Sequence, residues 1–441
     1  MCKFATGYSK HEKMRRISTM LLICMALTTG IMQQASGAEK ISDKELLNKV
    51  KAYDAYTREV RRHLHYYPET GGQEVQTVRY LKEKLAEIGQ FDIHDVPGST
   101  GFYAILDTHR PGKTIGLRTD IDGLPVTESP LNGEGKAKPF VSRNQGFMQG
   151  CGHDGHMAIL LTTIRILYDW RARLSGKYVF LFEEGEETNT GIRPMIAAIK
   201  DIHFDAIYGN HLASNVPSGL LYIKEGPILA GMAMVSLQVF GRGGHASRPD
   251  LSVNPIYAGT AILNSIGIAW NQQRDITKTV TLGITQFHGG ETWNVFPDSV
   301  YIGGTLRFFD WDSGVNSLEL IKKVAADVAK AHDCTVRFGK KMTAQVPPVV
   351  NDEKLTALAR KSIGTLYPGH ITTDDAYNWY ISETFALYNQ LAPTLFTLVG
   401  VQNKELGTTA GHHTAAFDID EDALQYGIGA MVRFATALSE N

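Results

Sequence analysis

Six consecutive positions, Cys151-Gly152-His153-Asp154-Gly155-His156, hold one thiol, two imidazoles and a carboxylate. A thiolate and an imidazole together suit zinc or a similar borderline divalent cation, at bonds of about 2.0–2.3 Å. Residues two apart diverge on a helix, so the pair Cys151 and His153 is expected in a loop, with Gly152 freeing the backbone. One cluster cannot close a catalytic site, so further ligands must come from elsewhere in the chain. Three segments with strand character end in suitable groups. "TIGLRTDID" ends in Asp120 and Asp122, "YVFLFEEGEE" in Glu183, Glu184, Glu186 and Glu187, and "AIYGNH" in His211. In open α/β sheets ligands bind beyond the carboxyl ends of the strands. A late "GHHTAAFDID" adds His412 or His413. Taken singly, these residues read as helix caps, solvated loops or hydrogen-bonded histidines. Taken together they point to a metal centre.

The elements that must position these groups are legible in the apolar spacing. Ser42 and Glu45 form a capping box, after which Leu46, Leu47, Val50, Tyr53, Val60 and Leu64 recur at helical intervals. A second helix runs from about Glu74 to Ile88, with Gly89 as its stop. "FYAILD" and "TIGLRTD" read as strands joined by a turn at "RPGK", and "YVFLFEE" and "FDAIYGNH" as two more, with the apolar helix "MAILLTTIRIL" before them. Alternating strands and helices imply an α/β domain around a largely buried sheet. From about Ala230 the order becomes β-α-β-β-α-β through "MVSLQVF", "NPIYAGTAILNSIG", "TVTLGITQF", "SVYIGGTLRFF", "SLELIKKVAADVAKAH" and "CTVRFG", a ferredoxin-like arrangement. Pro347-Pro348 reads as a linker back to a final stretch of helices with one strand, "TLFTLV". The expected organisation is a catalytic α/β domain over 39–229 and 344–441, interrupted by a ferredoxin-like domain over 230–343.

The chain has 441 residues, 43% hydrophobic and 20% charged, with a net charge of -2. This is a globular composition, without the basic face a nucleic-acid partner would need. Residues 1–38 stand apart. Lys13, Arg15 and Arg16 precede an apolar stretch from Ile17 to Met32 and the small residues Ala35, Ser36, Gly37 and Ala38. That is a signal-peptide layout with cleavage after Ala38, and the stretch is short of the ~20 residues a membrane span needs. The expectation is export to the periplasm or medium with no stable membrane anchor; Met14 is an alternative start. Of four cysteines, Cys2 and Cys24 would leave with the leader, Cys151 serves better as a ligand than in a disulfide, and Cys334 reads as a small core residue. "GRGGH" lacks the spacing of a dinucleotide fingerprint, and no GxSxG elbow is present.

These residues carry a resemblance to the aminoacylase/carboxypeptidase metallopeptidase family, in the branch of hippurate hydrolase, the N-acyl-amino-acid amidohydrolases and the indole-acetyl-amino-acid hydrolases. It spans nearly the whole chain after the leader: "RRHLHYYPETGGQE", "LRTDIDGLPVTE", "MQGCGHDGHMAILL", "GRGGHASRP" and "NVFPD" each resemble a family segment. The resemblance implies a zinc-peptidase-like catalytic domain with an inserted lid and dimerisation domain, and two divalent metal ions per subunit (Zn, Mn, Co or Ni). It implies Cys151 as a bridging thiolate, His153, Glu187, His211 and His413 as further metal ligands, and Glu186 as general base. It implies His245, Asn294 and Arg307 as contacts for a small N-acyl-amino-acid substrate with a free carboxylate. A dipeptidase or carboxypeptidase on the same scaffold, or a silent metal-binding protein, is the alternative. Glu184, Gly185, Gln149, Gly150, Asp250, Thr384, Thr414 and Ala415 depart from the family pattern, and none of them is a proposed ligand.

Overall fold

The structure, a computed structural model, describes residues 40–440. The expected leader lies outside them. The chain opens on three helices, α1 (Asp43–Ala52), α2 (Asp54–Tyr66) and α3 (Val75–Ile88). Ser42 Oγ accepts the Glu45 N–H at 3.3 Å, as the capping box requires. The apolar repeat from Leu46 to Leu64 is split into two helices at Tyr53.

The strands β1 (Asp92–Asp95), β2 (Phe102–Asp107) and β3 (Thr114–Asp120) follow, then helix α4 (His153–Asp169), β4 (Lys177–Glu183), α5 (Ile192–Ile199), β5 (Ala206–Pro217) and β6 (Leu221–Tyr222). With β16 (Ile371–Thr372) and β17 (Thr394–Gln402) they build an eight-stranded sheet, ordered β1-β2-β4-β3-β5-β17-β6-β16. The turn at "RPGK" therefore does not make a hairpin. β4 lies between β2 and β3, antiparallel to the first and parallel to the second. Alternate residues of the central strands feed two separate cores. Tyr208, Leu212, Leu395 and Val399 pack with Ile159, Met431 and Phe434 on one face. Ile207, Ala213, Phe396 and Leu398 pack with Ile192, Met195 and Phe385 on the other. Burial on both faces explains why these strands read as continuous apolar runs.

The chain then leaves this sheet through β7 (Gly226–Leu229) for a second one. Its strands are β8 (Gly231–Phe240), β10 (Val280–His288), β12 (Ser299–Phe308) and β13 (Thr335–Phe338), in the order β10-β12-β8-β13. The pairings β10–β12, β12–β8 and β13–β8 are antiparallel. Helices α6 (Pro255–Gln273) and α7 (Trp311–Ala331) cover it through Ala258, Ile262, Leu318, Ile321 and Ala325. This is the ferredoxin-like order, with Cys334 buried in its core. A small two-stranded ladder, β9 (Gly244–His245) with β11 (Val295–Phe296), stands beside it. Sequence reading missed a fifth strand, β14 (Ala344–Val346), which adds to β8. Pro347-Pro348 separates β14 from β15 (Val349–Asn351), which returns to β7. Helix α8 (Glu353–Leu366) and the terminal α9 (Leu424–Glu440) complete the fold. Among the described residues no helix is long and apolar enough to cross a membrane.

Candidate metal centre and active site

Sheet register brings the site together. Asp120 pairs with Glu183, and Arg118 pairs with Gly209, in parallel ladders. Counting two residues on from the second pair puts His211 level with Asp120, so three strands present Asp120, Glu183 and His211 at one height. β5 continues to Pro217, so His211 lies within a strand and not at its end. It still stands past the last β3–β5 pair because β5 overshoots its neighbour.

Cys151 and His153 enter from the loop before α4. Gly152 caps that helix with φ +88°, in the left-handed region, where a side chain would be strained. This bend lets Cys151 and the first helical residue, His153, face the same point. The loop expectation thus holds for Cys151, while His153 opens the helix. Glu186 and Glu187 lie on the turn after β4. His413 reaches in from the segment before α9, held by its N–H on the Gly150 carbonyl at 2.9 Å.

Ring hydrogen bonds fix how the imidazoles face. His153 Nδ1 lies 2.9 Å from the Asp122 carbonyl and 3.1 Å from its carboxylate. His211 Nδ1 lies 2.7 Å from the Leu212 carbonyl. Each Nδ1 therefore carries a proton, which leaves Nε2 as the nitrogen able to ligate. Burial opposes protonation of His153, but Asp120, Asp122 and Cys151 outweigh it and hold it well above the usual imidazole range until a cation takes the proton's place. His211 Nε2 lies 3.5 Å from Cys151 Sγ. His413 Nε2 lies 3.3 Å from the same sulfur and 3.1 Å from Glu187 Oε1. His153 Nε2 faces Glu187 Oε1 at 3.9 Å. Among the described residues these two buried atoms have no hydrogen-bond partner, which is costly unless something else fills the gap. Gaps of 3–4 Å between donors are what ligands of one ion show at about 2 Å from it. Two sets share the sulfur: Cys151, His153 and His211, and Cys151, Glu187 and His413. The residues present fit a pair of divalent cations, with Cys151 a member of both sets.

His156 and His412 spend their Nε2 lone pairs on backbone N–H groups. His156 Nε2 accepts the Leu212 N–H at 2.8 Å, and its Nδ1 meets Asp120 at 2.7 Å. His412 Nε2 accepts the Ser214 N–H at 3.1 Å. Of the two late histidines, His413 is the one whose Nε2 stands beside Cys151 Sγ and Glu187.

Electrostatics divides the glutamate run. Glu183 is buried against Arg118 Nε at 3.0 Å and the Tyr388 hydroxyl at 2.8 Å. Glu184 accepts from Ser99, from the Thr100 N–H and from Thr190. Both are structural. Glu186 Oε1 accepts the Thr384 N–H at 3.0 Å. Burial, with the Glu383 and Glu187 carboxylates close by, pushes the Glu186 carboxyl well above its ordinary range. Burial opposes ionisation of Glu187 too, but His413 and His153 prevail and lower it. Burial and the Glu187 carboxylate raise the Cys151 thiol, which a cation would reverse. Burial also keeps His211 neutral, its value far below the usual imidazole range.

Of the expected substrate contacts, Arg307 is tied to a segment that carries the site. Its Nη1 donates to Ser382 Oγ at 2.9 Å, two residues from the Thr384 that holds Glu186. His245 and Asn294 are brought to each other instead, since the Asn294 carbonyl accepts the Ala246 N–H at 3.0 Å. Among the described residues neither has a hydrogen bond to the thiol cluster. Sequence reading overlooked Arg118, Glu383 and Glu74. Arg118 joins Asp120, Glu183 and Glu383 at 2.8–3.0 Å. Only its place two residues before Asp120 on an apolar strand could have marked it.

A thiol, three imidazole nitrogens and two carboxylates gathered at the central strands of an α/β sheet are the donor set of a metallopeptidase-type hydrolase. The chain belongs to peptidase family M20/M25/M40, whose sequence model matches residues 116–437. It is 32% identical over 375 residues to N-acetylcysteine deacetylase of Bacillus subtilis, covering 85% of this chain and 94% of that protein. It is 30% identical to IAA-amino acid hydrolase ILR1-like 4 of Arabidopsis thaliana, covering 95% of this chain and 94% of that one. A dinuclear metal-binding M20 peptidase structure from Bacillus subtilis superposes with a TM-score of 0.75 at 30% identity, covering 88% of this chain and 99% of that one.

Proposed function

We propose that this protein is a two-cation amidohydrolase that cleaves the amide between an acyl group and an amino acid with a free carboxylate. The observation that carries this reading is the pair of three-atom ligand sets sharing Cys151. The relatives named as removing an acetyl group from cysteine and as splitting an indole-acetyl conjugate support the substrate class. Hippurate-like conjugates belong to the same class.

Cys151, His153 and His211 would hold one cation, and Cys151, Glu187 and His413 the other. When bound, the cations supply Lewis acidity, acidifying water and polarising an amide carbonyl. Glu186 would take the proton of the attacking water and pass it to the leaving nitrogen. A carboxylate raised by burial can serve in both directions. The Thr384 N–H on its Oε1 leaves Oε2 to do this. Arg307 offers a fork of donors that suits a carboxylate; it is half-buried, and among the described residues no carboxylate is paired with it. His245 and Asn294, which stand apart from the thiol cluster among the described residues, would have to be brought to the substrate to donate to the developing oxyanion and to orient it.

Export after leader cleavage and pairing of two chains through the ferredoxin-like unit belong to the same proposal. The layout of residues 1–38 supports the first. The second is supported by large exposed apolar residues in that unit, among them Leu251, Tyr257, Ile268, Ile276 and Trp293, the last 93% exposed. Apolar side chains of this size gain from being covered by a second chain.

The test is a screen of N-acetyl-, benzoyl- and indole-acetyl-amino acids and dipeptides with the metal-loaded protein, repeated with Glu186→Gln. Turnover on acyl-amino acids that falls at least ~100-fold in the variant, with cations retained, is the expected result. Cleavage of dipeptides only would replace the substrate class. Equal turnover in the variant would remove Glu186 from the role of base.

A further inference from the structure

The segment "TGGQE", residues 70–74, stands far in sequence from every proposed ligand, yet it lies against the turn that carries Glu186 and Glu187. Glu74 is fully buried and occupies the N-cap of α3, but its side chain does not cap that helix. Glu69 does so instead, accepting the Gln76 and Thr77 N–H groups at 3.2 and 2.8 Å. The Glu74 carboxylate is thereby released to reach across the fold. Its Oε1 accepts the Gly185 N–H at 2.9 Å and its Oε2 the Thr100 hydroxyl at 2.6 Å.

Gly71 closes the same contact. A Cβ there would stand 2.7 Å from Thr188 Oγ1 and 2.9 Å from Gly185 Cα, so only glycine allows the approach. The neighbouring backbone is tied to the other side of the site by the Gly123 N–H on the Glu69 carbonyl at 2.7 Å. Three successive residues of the turn are thus held from three elements. Gly185 is held by Glu74, Glu186 by the Thr384 N–H, and Glu187 by Asp122, whose Oδ2 accepts the Glu187 N–H at 3.1 Å.

We propose that Glu74 is a positioning residue for the reaction, with Gly71 as its partner: together they seat the Gly185–Glu187 turn so that Glu186 reaches the water and Glu187 reaches its cation. The assignment rests on the reading of Glu186 as base and Glu187 as ligand. Glu74 touches neither substrate nor cation. It acts through one backbone hydrogen bond on a turn that has no helix or strand to stiffen it.

The experiment compares Glu74→Ala, Glu74→Gln and Gly71→Ala with the wild type, by Co(II) titration and by kcat and KM on the best substrate of the screen. Glu74→Ala is expected to bind the first Co(II) equivalent within about twofold of wild type and the second about tenfold more weakly, the scale of one lost buried hydrogen bond. At saturating Co(II) its kcat is expected to fall at least ~10-fold with KM within about threefold. Glu74→Gln keeps an oxygen for the Gly185 N–H and is expected to restore both. Gly71→Ala displaces the turn without touching a carboxylate and is expected to repeat the pattern, which covers the case in which Glu74→Ala does not fold. Wild-type behaviour in Glu74→Ala, equal weakening of both equivalents, or a Glu74→Gln as impaired as Glu74→Ala would overturn the assignment. The Co(II) readout stands without any turnover, so a wild type that cleaves none of the compounds would sink the functional reading and leave this one decided separately.

Discussion

His153 donates from Nδ1 to the main-chain carbonyl of Asp122 at 2.9 Å, with the Asp122 carboxylate at 3.1 Å. That single contact fixes the tautomer of a proposed ligand. Through its other oxygen the same carboxylate holds the Glu187 N–H. Asp122 thus links the ligands of the two cation sets without contributing a ligand of its own.

Replacing it should therefore loosen both sets. Asp122→Ala is expected to weaken cation binding by about 10–100-fold, the usual effect of losing a partner of a metal ligand. Competition against a chromophoric chelator measures this directly. Unchanged affinity would mean that the main-chain carbonyl alone orients His153.

Arg307 should report on the substrate carboxylate. Arg307→Ala is expected to raise KM at least ~10-fold for acyl-amino acids, with a much smaller change for the same compounds blocked as carboxamides. Steady-state kinetics on the matched pairs checks it. An equal loss on both would reduce Arg307 to a tether for Ser382.

Acid stability should depend on a buried network behind α4. Burial opposes ionisation of Glu128, but His65, Lys138 and the Ser142 N–H outweigh it and lower its pKa to about 2. Burial likewise opposes ionisation of Asp154, and Arg61 and His65 bring it to about 2. Both folded values lie below the ordinary carboxylate range, so the stabilisation is present above about pH 4–5 and is lost as pH falls towards 2. His65 is protonated in folded and unfolded chains over that window. Each carboxylate contributes on the order of 2–3 kcal/mol at neutral pH. Urea unfolding between pH 6 and pH 2.5 should show a steep fall, and Glu128→Gln should flatten it by about one proton's slope. A parallel fall in the variant would contradict the assignment.

Core packing behind the thiol gives a further check. A Cβ on Gly155 would stand 2.4 Å from Leu212 Cδ1 and 3.2 Å from Leu424 Cδ2. Gly155→Ala should destabilise the fold by about 1–3 kcal/mol through overpacking, outweighing the gain of up to ~1 kcal/mol from helix propensity. Thermal unfolding decides the sign, and a raised midpoint would show that the Leu212 side chain yields.

Much of this was legible in the sequence because its determinants are local. Cys151 and His153 flank a glycine before an apolar helix. Glu186 and Glu187 follow an apolar strand, and the β-α-β-β-α-β order sits in the periodicity of residues 230–338. What was hidden is long-range. Nothing near "FYAILD" says that β4 will come between it and β3, because strand order is set by helix packing on two faces. The extent of β5 beyond His211 depends on its pairing with β17, almost two hundred residues on. Glu74 resembles any helix-start acid until Glu69 is seen to take over the cap. Residue type alone left His412 and His413 open, and only the family spacing pointed to His413; that His412 Nε2 is taken by the Ser214 N–H is a long-range contact no local pattern shows.

The central claim is that one thiolate is shared by two cations. The most direct measurement is the cation content of the dialysed protein and of Cys151→Ala by elemental analysis, with turnover on an acyl-amino acid followed in parallel. Two equivalents per chain in the wild type, with binding and turnover both lost in the variant, is the result expected. Full turnover from protein that holds no cation, or two cations retained without Cys151, would contradict it.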